Sequence, residues 1–347
     1  MNFWLPYTAG NSGSDVSIRF LADALQATGH VAVAEEFDHN YQYFPWLLSH
    51  KAPPKDTNVI IGNSWNAFAF KRPDCALIAV ERLFILDEAL KPYKTFAQSI
   101  FHNTLLRSYL WRSYRVADAI VALSESSARS IERVFPGVNA RTILNAVDLD
   151  YFRPNRRKQP LRDRPVRLLF VGNLIRRKGA DLLLPILENL GDGYSLDYTS
   201  GPRTSNPLPS HPRASCLGAL PLDRVREAYR RADVLLLPTR LEGLPRAAME
   251  ALACGTPVVA SAVSSLPEIV KDGVNGYTCR VDDVTDFCAA IRTITADQDT
   301  LDRLSDNARA FAEEHLDLRK MAERYVRLSQ DMISGRGYAA CADQTVA

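Results

Sequence analysis

One stretch, residues 234–260, constrains the fold more than any other part of the chain. It opens on the apolar run Val234-Leu235-Leu236-Leu237, closed by Pro238, and ends on a second run, Pro257-Val258-Val259-Ala260. The segment between them has the punctuation of a helix. Pro245 suits a first helical turn, where its missing N–H costs nothing, and Gly255 sits where a C-cap glycine belongs, with Pro257 behind it. The unit reads strand, loop, helix, strand. Two carboxylates ride on it with seven residues between them, Glu242 in the loop and Glu250 on the helix. In an open α/β sheet, ligands bind at the carboxyl ends of the strands, which is where Glu242 would project. The loop amides and the helix N-terminus behind them form an anion cradle. Glu250 follows Arg246 by four residues and shares its helix face, with the small Ala247 beside them. Two carboxylates near an anion cradle suit a ligand with hydroxyls and phosphates, such as a nucleotide sugar. The same spacing also fits a solvated loop glutamate and a surface helix glutamate, and spacing alone leaves both readings open.

The motif does not stand alone. Glu242-Gly243-Leu244-Pro245-Arg246-Ala247-Ala248-Met249-Glu250 runs on through Ala251-Leu252-Ala253-Cys254-Gly255-Thr256-Pro257, and is followed by Pro267-Glu268-Ile269-Val270 and Asp272-Gly273-Val274-Asn275-Gly276. This ordered series resembles the paired-glutamate (Glu-x7-Glu) signature of the retaining glycosyltransferase family 4. The resemblance is close over most of the second half of the chain and loose over the first. It implies an α/β protein of the GT-B fold, with two Rossmann-like doubly wound domains facing a cleft. It assigns donor-sugar contacts to Glu242 and to the backbone of Gly243, Leu244 and Pro245, and the nucleotide ribose to Glu250.

A second motif supports the first. After the apolar strand Val166–Val171 comes Gly172-Asn173-Leu174-Ile175-Arg176-Arg177-Lys178-Gly179. A glycine-bounded basic loop at a strand's end suits a diphosphate, with Lys as a point charge and the backbone as donor. It resembles the family's diphosphate loop, and the family's Lys falls on Lys178. Its Arg is Asn173 here, which supplies hydrogen bonds without charge, so neutralisation falls to Lys178, with Arg177 or Arg246 as helpers. Lys178 and Glu242 are the implied catalytic pair. The loop Asn11-Ser12-Gly13-Ser14 resembles the family's first loop, with Gly13 toward the donor phosphates and Ser14 toward the acceptor; an ordinary polar loop reads the same way. Relatives often place a His near Glu81-Arg82, at a strand tip facing the acceptor. None stands there, and a structural Glu81–Arg82 pair is the favoured reading beside an acceptor-side role for both.

In chain order, Phe3-Trp4-Leu5 is a first strand, Pro6–Ser14 a loop, and Asp15 the cap of a helix burying Ile18, Leu21, Ala24 and Leu25. Residues 96–117 read as one long helix in which aromatics mix with Arg. That pattern suits a core-facing helix with a basic solvated side, or contact with an anionic membrane surface. The stretch 153–164 is dense in Arg and Lys and reads as a linker. The expected domains are an acceptor-side one over 1–155 and a nucleotide-sugar one over 165–316. A helix over 317–334 returns to the first domain, and 335–347 is a flexible tail.

Length and composition bound the function. A chain of 347 residues, 46% hydrophobic, buries one large or two medium cores. A net charge of +2 gives no basis for bulk nucleic-acid binding. No apolar run approaches the roughly 20 residues that span a bilayer. The start lacks a basic segment followed by a long apolar core, so a cytoplasmic protein is expected, at the inner face of the membrane if the helix over 96–117 touches lipid. The six cysteines form no Cys-x-x-Cys pair and read as buried free thiols. Asp148-x-Asp150 mimics a metal site of another transferase class but sits at a domain exit, so neither metal nor cofactor is expected. The implied enzyme is a hexosyltransferase that transfers sugar, with retention, from a nucleoside diphosphate sugar to a glycan or lipid-linked acceptor. The setting would be cell-surface polysaccharide or glycolipid synthesis. Another GT-B enzyme, such as a nucleotide-sugar epimerase, and a non-catalytic nucleotide-sugar-binding protein remain as alternatives.

Overall fold

The computed structural model describes residues 1–10, 13–154, 160–161, 164–201, 204 and 207–335. Asn11 and Ser12, most of the basic linker, Arg203, and the tail beyond 335 lie outside the described residues, as does the side chain of Ser14. The chain divides into two compact units, Val147–Asp317 and one that joins Met1–Ala146 to the C-terminal helix Leu318–Ile333.

The first unit alternates strand and helix: β1 (Asn2–Thr8), α1 (Gly13–Ala27), β2 (Val31–Phe37), β3 (Val59–Asn63), β4 (Ala76–Glu81), then a long helical stretch, β5 (Ala119–Ala122), a further helix and β6 (Arg141–Thr142). All pairings are parallel, in the order β2-β1-β3-β4-β5-β6, so the winding direction reverses between β1 and β3. Both faces of such a sheet must be covered, and the inner strands β1, β3, β4 and β5 are accordingly apolar and largely buried, while the edge strands β2 and β6 are partly exposed. Trp4 anchors one face, edge-on to Phe70 at 5.2 Å and Phe37 at 6.5 Å. The C-terminal helix packs on α1 through buried Met321, Tyr325 and Leu328.

Three local readings change here. Pro6, expected in a loop, lies inside β1. That strand pairs with β2 along its whole length but with β3 only at Phe3 and Trp4, so a residue without an N–H breaks no bond on the open side. Asp15 is not a cap: α1 starts at Gly13, and Asp15 in its first turn accepts the Gly10 N–H at 2.9 Å. The helix over 96–117 is continuous but not uniform. It comprises α2 (Phe96–Phe101), a π-helical turn over His102–Leu106 and α3 (Arg107–Val116), followed after β5 by α4 (Glu125–Val134), which Ser124 caps through the Ser127 N–H.

The second unit contains β7 (Val166–Phe170), α5 (Leu183–Leu190), β8 (Tyr194–Tyr198), β9 (Ala214–Cys216), α6 (Leu222–Arg231), β10 (Val234–Leu237), α7 (Arg246–Ala253), β11 (Val258–Ser261), α8 (Leu266–Ile269), β12 (Gly276–Cys279), α9 (Val284–Ile294) and α10 (Gln298–His315). Its parallel sheet is ordered β12-β11-β10-β7-β8-β9, so the chain winds one way from β7, returns, and winds the other way from β10. The switch point lies between β7 and β10. Arg164 fixes the start of the unit with a bidentate, buried pair to Asp233 at 2.6 and 2.8 Å, and Asp233 also takes the Arg167 N–H at 2.8 Å. Four cysteines are buried as read, but Cys216 is exposed, and Cys341 lies outside the described residues.

Gly179, after the basic turn, shows how tightly the switch point is assembled. It holds φ +72°, and a Cβ there would stand 1.9 Å from the Pro238 carbonyl oxygen at the end of β10. Neither backbone can give way without parting the two loops. Gly179→Ala should therefore lower the melting temperature of the protein, by a cost of roughly 1–3 kcal/mol. Equal melting of variant and parent would show that this approach is not required.

Candidate active site

The site is built from two loops at the carboxyl end of the second sheet. One follows β7 and ends in the turn Arg176–Lys178; the other follows β10 and leads into α7. Their strands are neighbours at the switch point, where crossovers leave in opposite directions and open a crevice. The loops are laced together by backbone. The Arg177 carbonyl accepts the Arg240 N–H at 2.8 Å and the Thr239 hydroxyl at 3.1 Å, while Arg177 Nη1 donates to the Leu241 carbonyl at 2.5 Å.

Lys178 and Glu242 meet across this seam, Nζ to Oε1 at 2.5 Å, with Arg177 at 3.7 Å from the other carboxylate oxygen and the Thr239 hydroxyl at 3.2 Å. Burial pushes the Glu242 carboxyl up, but Lys178 and Arg177 outweigh it and hold it below its ordinary value. The sequence reading treated Lys178 as a cation set apart for phosphate. The structure gives it a carboxylate partner, because Glu242 is too enclosed to stay ionised alone.

Glu250 sits in the second turn of α7, whose residues from Ala248 to Ala253 are buried. Arg246 reaches it at 2.6 Å, as the spacing of four anticipates. Arg246 is thereby engaged with Glu250. Tyr229 of α6, itself fully buried, donates its hydroxyl to Glu250 Oε2 at 2.9 Å. Burial raises the Glu250 carboxyl above its ordinary value, against the pull of Arg246 and Tyr229. Pro245 stands one place earlier than expected, as the N-cap rather than in the first turn, with its carbonyl accepting from Ala248 at 3.1 Å. Gly255 ends α7 at φ +68°, as read. Asn173 lies against Gly201, where a Cβ would come 1.9 Å from Asn173 Oδ1.

Arg240 is the residue that sequence reasoning missed. Its guanidinium grips Asp181 with two bonds, at 2.7 and 2.8 Å, and Asp282 at 2.7 Å, and also donates to the Arg176 carbonyl. It fastens the β10 loop to the basic turn and the loop after β12. Its three polar partners lie about 40 to 64 residues away, so only its place at the end of an apolar strand marked it. Asp148 is a turn residue, accepting from Asp150 and Tyr151 backbone at 3.0 and 2.9 Å.

The first unit carries the remaining candidates. Gly13 opens α1 and its carbonyl accepts the Ser17 hydroxyl at 2.9 Å. Glu81 ends β4 and Arg82 follows it in a bend; no ion pair joins the two among the described residues. Arg82 donates to Asn63 at 3.0 Å, whereas Glu81 is buried and takes the hydroxyls of Ser64 at 2.8 Å and Tyr114 at 3.0 Å. Each charge thus finds its partner in another segment. Burial pushes the Glu81 carboxyl up to about 7, the hydroxyls and nearby backbone N–H groups offsetting only part of it.

Three comparisons bear on the site. Residues 165–297 match the family described as glycosyl transferases group 1. The chain is 34% identical over 211 residues to a D-inositol 3-phosphate glycosyltransferase of Geodermatophilus obscurus, covering 53% of this chain and 47% of that protein. It is 30% identical over 151 residues to an uncharacterized glycosyltransferase of Methanocaldococcus jannaschii, covering 42% of each. The chain thus spans about half the length of the curated relatives it matches. Among solved structures it resembles sucrose-phosphate synthase of Thermosynechococcus elongatus, with TM-score 0.79, 18% identity, and coverage of 96% of this chain and 100% of that one. It also resembles Anabaena HepE in complex with UDP, with TM-score 0.72, 16% identity, and coverage of 94% and 99%. The fold, two six-stranded parallel α/β domains, is that of these GT-B glycosyltransferases.

The Glu81 environment makes a pH prediction. Its folded pKa lies above the ordinary 4.5, so the native state holds the proton more tightly than the unfolded chain. The associated stability is present below pH 4.5 and is lost as pH rises through about 7. Glu81→Gln should be the more stable protein at pH 8 by roughly 2–3 kcal/mol relative to the comparison at pH 4.5. Parallel melting curves of parent and variant across that range would refute the assignment.

Proposed function

We propose that the chain is a retaining glycosyltransferase, moving a hexosyl-type residue from a nucleoside diphosphate sugar to a glycan or lipid-linked acceptor in cell-surface polysaccharide or glycolipid synthesis. The observation that carries this reading is the Lys178–Glu242 pair at the switch point of the second sheet, inside the segment that matches group 1 glycosyl transferases. Two cations, Lys178 and Arg177, face one carboxylate there, while Arg240 and Arg246 are engaged with carboxylates of their own. The surplus positive charge suits a diphosphate. As the glycosidic bond breaks, negative charge grows on the leaving group, and a cation already fixed in place stabilises it without reorganisation.

In this reading Glu242 and the N–H groups of Gly243 and Leu244 hold the donor sugar; Pro245 has no N–H and contributes shape. Glu250, braced by Tyr229 and Arg246, accepts the ribose hydroxyls. Asn173 and Gly13 complete the donor contacts, and Ser14, Glu81 and Arg82 belong to the acceptor side. Retention follows if the leaving phosphate takes the acceptor's proton on the same face, which needs no protein nucleophile. Peripheral contact with the inner face of the membrane would bring the enzyme to a lipid-linked acceptor. No helix among the described residues is long and apolar enough to cross a membrane.

A panel of nucleotide sugars, starting with UDP-sugars because HepE is described in complex with UDP, tests the reading. Nucleotide release that depends on acceptor supports a transferase; sugar interconversion without acceptor identifies an epimerase; thermal stabilisation without turnover identifies a binding protein. Lys178→Ala should cut turnover by roughly 10²–10³ and also lower the melting temperature, because Glu242 is left with Arg177 alone at 3.7 Å. Turnover within about threefold of the parent would remove Lys178 from the mechanism. Glu250→Ala should weaken nucleoside diphosphate binding by roughly 1.5–3 kcal/mol, through loss of charge-assisted bonds to the ribose. Glu250→Gln, which keeps an acceptor for Tyr229, separates that loss from collapse of the bracing; unchanged affinity in both variants would overturn the ribose assignment.

A further inference from the structure

Apolar exposure in this protein is unevenly spread. Of the fifteen large apolar side chains exposed among the described residues, nine fall in two short segments of the first unit, 43–47 and 96–116. Rings join the segments. Phe44 meets Trp46 at 5.5 Å, Trp46 meets Tyr109 of α3 at 6.1 Å, and Tyr43 meets Phe101 of α2 at 6.0 Å. The Tyr109 hydroxyl donates to the Tyr43 carbonyl at 3.2 Å, so the 43–47 segment is docked on the helix rather than loose. Phe96 is 83% exposed, and Ile100 and Leu105 are half-exposed. They follow it by four and then five residues, close to one α turn and one turn of the π-helical insert, so the insert keeps the apolar stripe in line.

Charge in the two segments has one sign. Residues 96–116 contain Arg107, Arg112 and Arg115 and no Asp or Glu, and residues 39–55 contain Lys51 and Lys55 and no acid. In a chain whose overall charge is only +2, two acid-free stretches that meet through aromatic contacts form a basic apolar face. Exposed Trp, Phe and Leu on segments whose only charges are Lys and Arg, with Arg115 over the Trp111 ring at 5.9 Å, match the boundary between headgroups and acyl chains, where aromatic rings settle and cations meet anionic lipid. A second copy of the chain fits poorly. An isologous contact would lay this face on itself and set Arg against Arg.

We infer that the face formed by residues 43–47 and the α2–α3 helix docks on an anionic lipid bilayer. It supplies the surface for the membrane contact proposed above and rests on that reading only for the lipid nature of the acceptor.

The test is flotation of the full chain with vesicles of phosphatidylcholine alone and of phosphatidylcholine with a third phosphatidylglycerol. The parent should float with the anionic vesicles, more weakly with the neutral ones, and less as salt rises. Replacing Trp46 and Phe96 by Ser should abolish flotation. Arg112→Gln with Arg115→Gln should weaken it roughly tenfold on anionic vesicles and leave the neutral ones unaffected. Each variant is also melted and titrated with UDP. A variant that melts and binds nucleotide as the parent does, yet no longer floats, locates the lipid face; loss of nucleotide binding instead marks damage elsewhere. A parent that does not float on anionic vesicles, or a Trp46/Phe96 variant that floats as well as the parent, overturns the inference. So does a concentration-dependent dimer in sedimentation that the same variant dissolves, since the face would then belong to a second copy.

Discussion

The enclosed charge of Glu242 is the constraint on which the second unit depends. A carboxylate left with only a tenth of its side chain exposed keeps its charge through cations fixed beside it, and Lys178 and Arg177 are fixed because their turn is locked to the loop after β10. The lock has three parts: Gly179 pressed on the Pro238 carbonyl, the Arg177 carbonyl bonded twice, and Arg240 bound to Asp181 and Asp282. None of these contacts involves a ligand. The site is assembled by the fold itself, in the manner expected of preorganised electrostatics, and the arrangement of strands explains its location. In the second sheet it is at the junction of β7 and β10 that two neighbouring loops leave in opposite directions.

Much of this unit was legible because its signals are local. Apolar runs of four or five residues, a helix ended by Gly255 and Pro257, and a basic loop ended by Gly179 each depend on adjacent residues alone. The Arg246–Glu250 pair is likewise a matter of helical spacing. What escaped the sequence was every partner that lies far along the chain. Tyr229 reaches Glu250 across 21 residues, and Arg240 reaches Asp181 across 59. Tyr229 gave no sign of its role because a buried tyrosine on an amphipathic helix has the same pattern whether its hydroxyl braces a carboxylate or not.

The first unit was less legible for a related reason. Pro6 reads as a loop residue until the pairing of β1 is known, because the rule against proline in strands applies only where the N–H is needed. Glu81 and Arg82, adjacent in sequence and opposite in charge, invite pairing, yet β4 ends between them, with Glu81 its last residue and Arg82 in the bend beyond. Each instead finds a partner from another element, Asn63 for Arg82, and Ser64 and Tyr114 for Glu81. The π-helical turn in the 96–116 stretch leaves no compositional mark either, although it sets which residues of that helix point outward.

The two glutamates of the central motif show how one residue type is made to do two jobs. Both are enclosed, so burial pushes both carboxyls toward the neutral form. Glu242 faces two cations and ends below its ordinary pKa; Glu250 faces one cation and a tyrosine hydroxyl and ends above it. The difference matches the work proposed for each. A carboxylate that shares its space with a diphosphate must keep its charge compensated at all times, because phosphate would otherwise repel it. A carboxylate that receives two ribose hydroxyls needs lone pairs held at fixed angles more than it needs a firmly held charge, and Tyr229 and Arg246 fix those angles from the protein side. Pairs of titratable groups driven apart in this way are a mark of functional sites. Here the divergence comes from a single β-α unit, with the first glutamate left in the loop where the cations are and the second carried about one helical turn into α7.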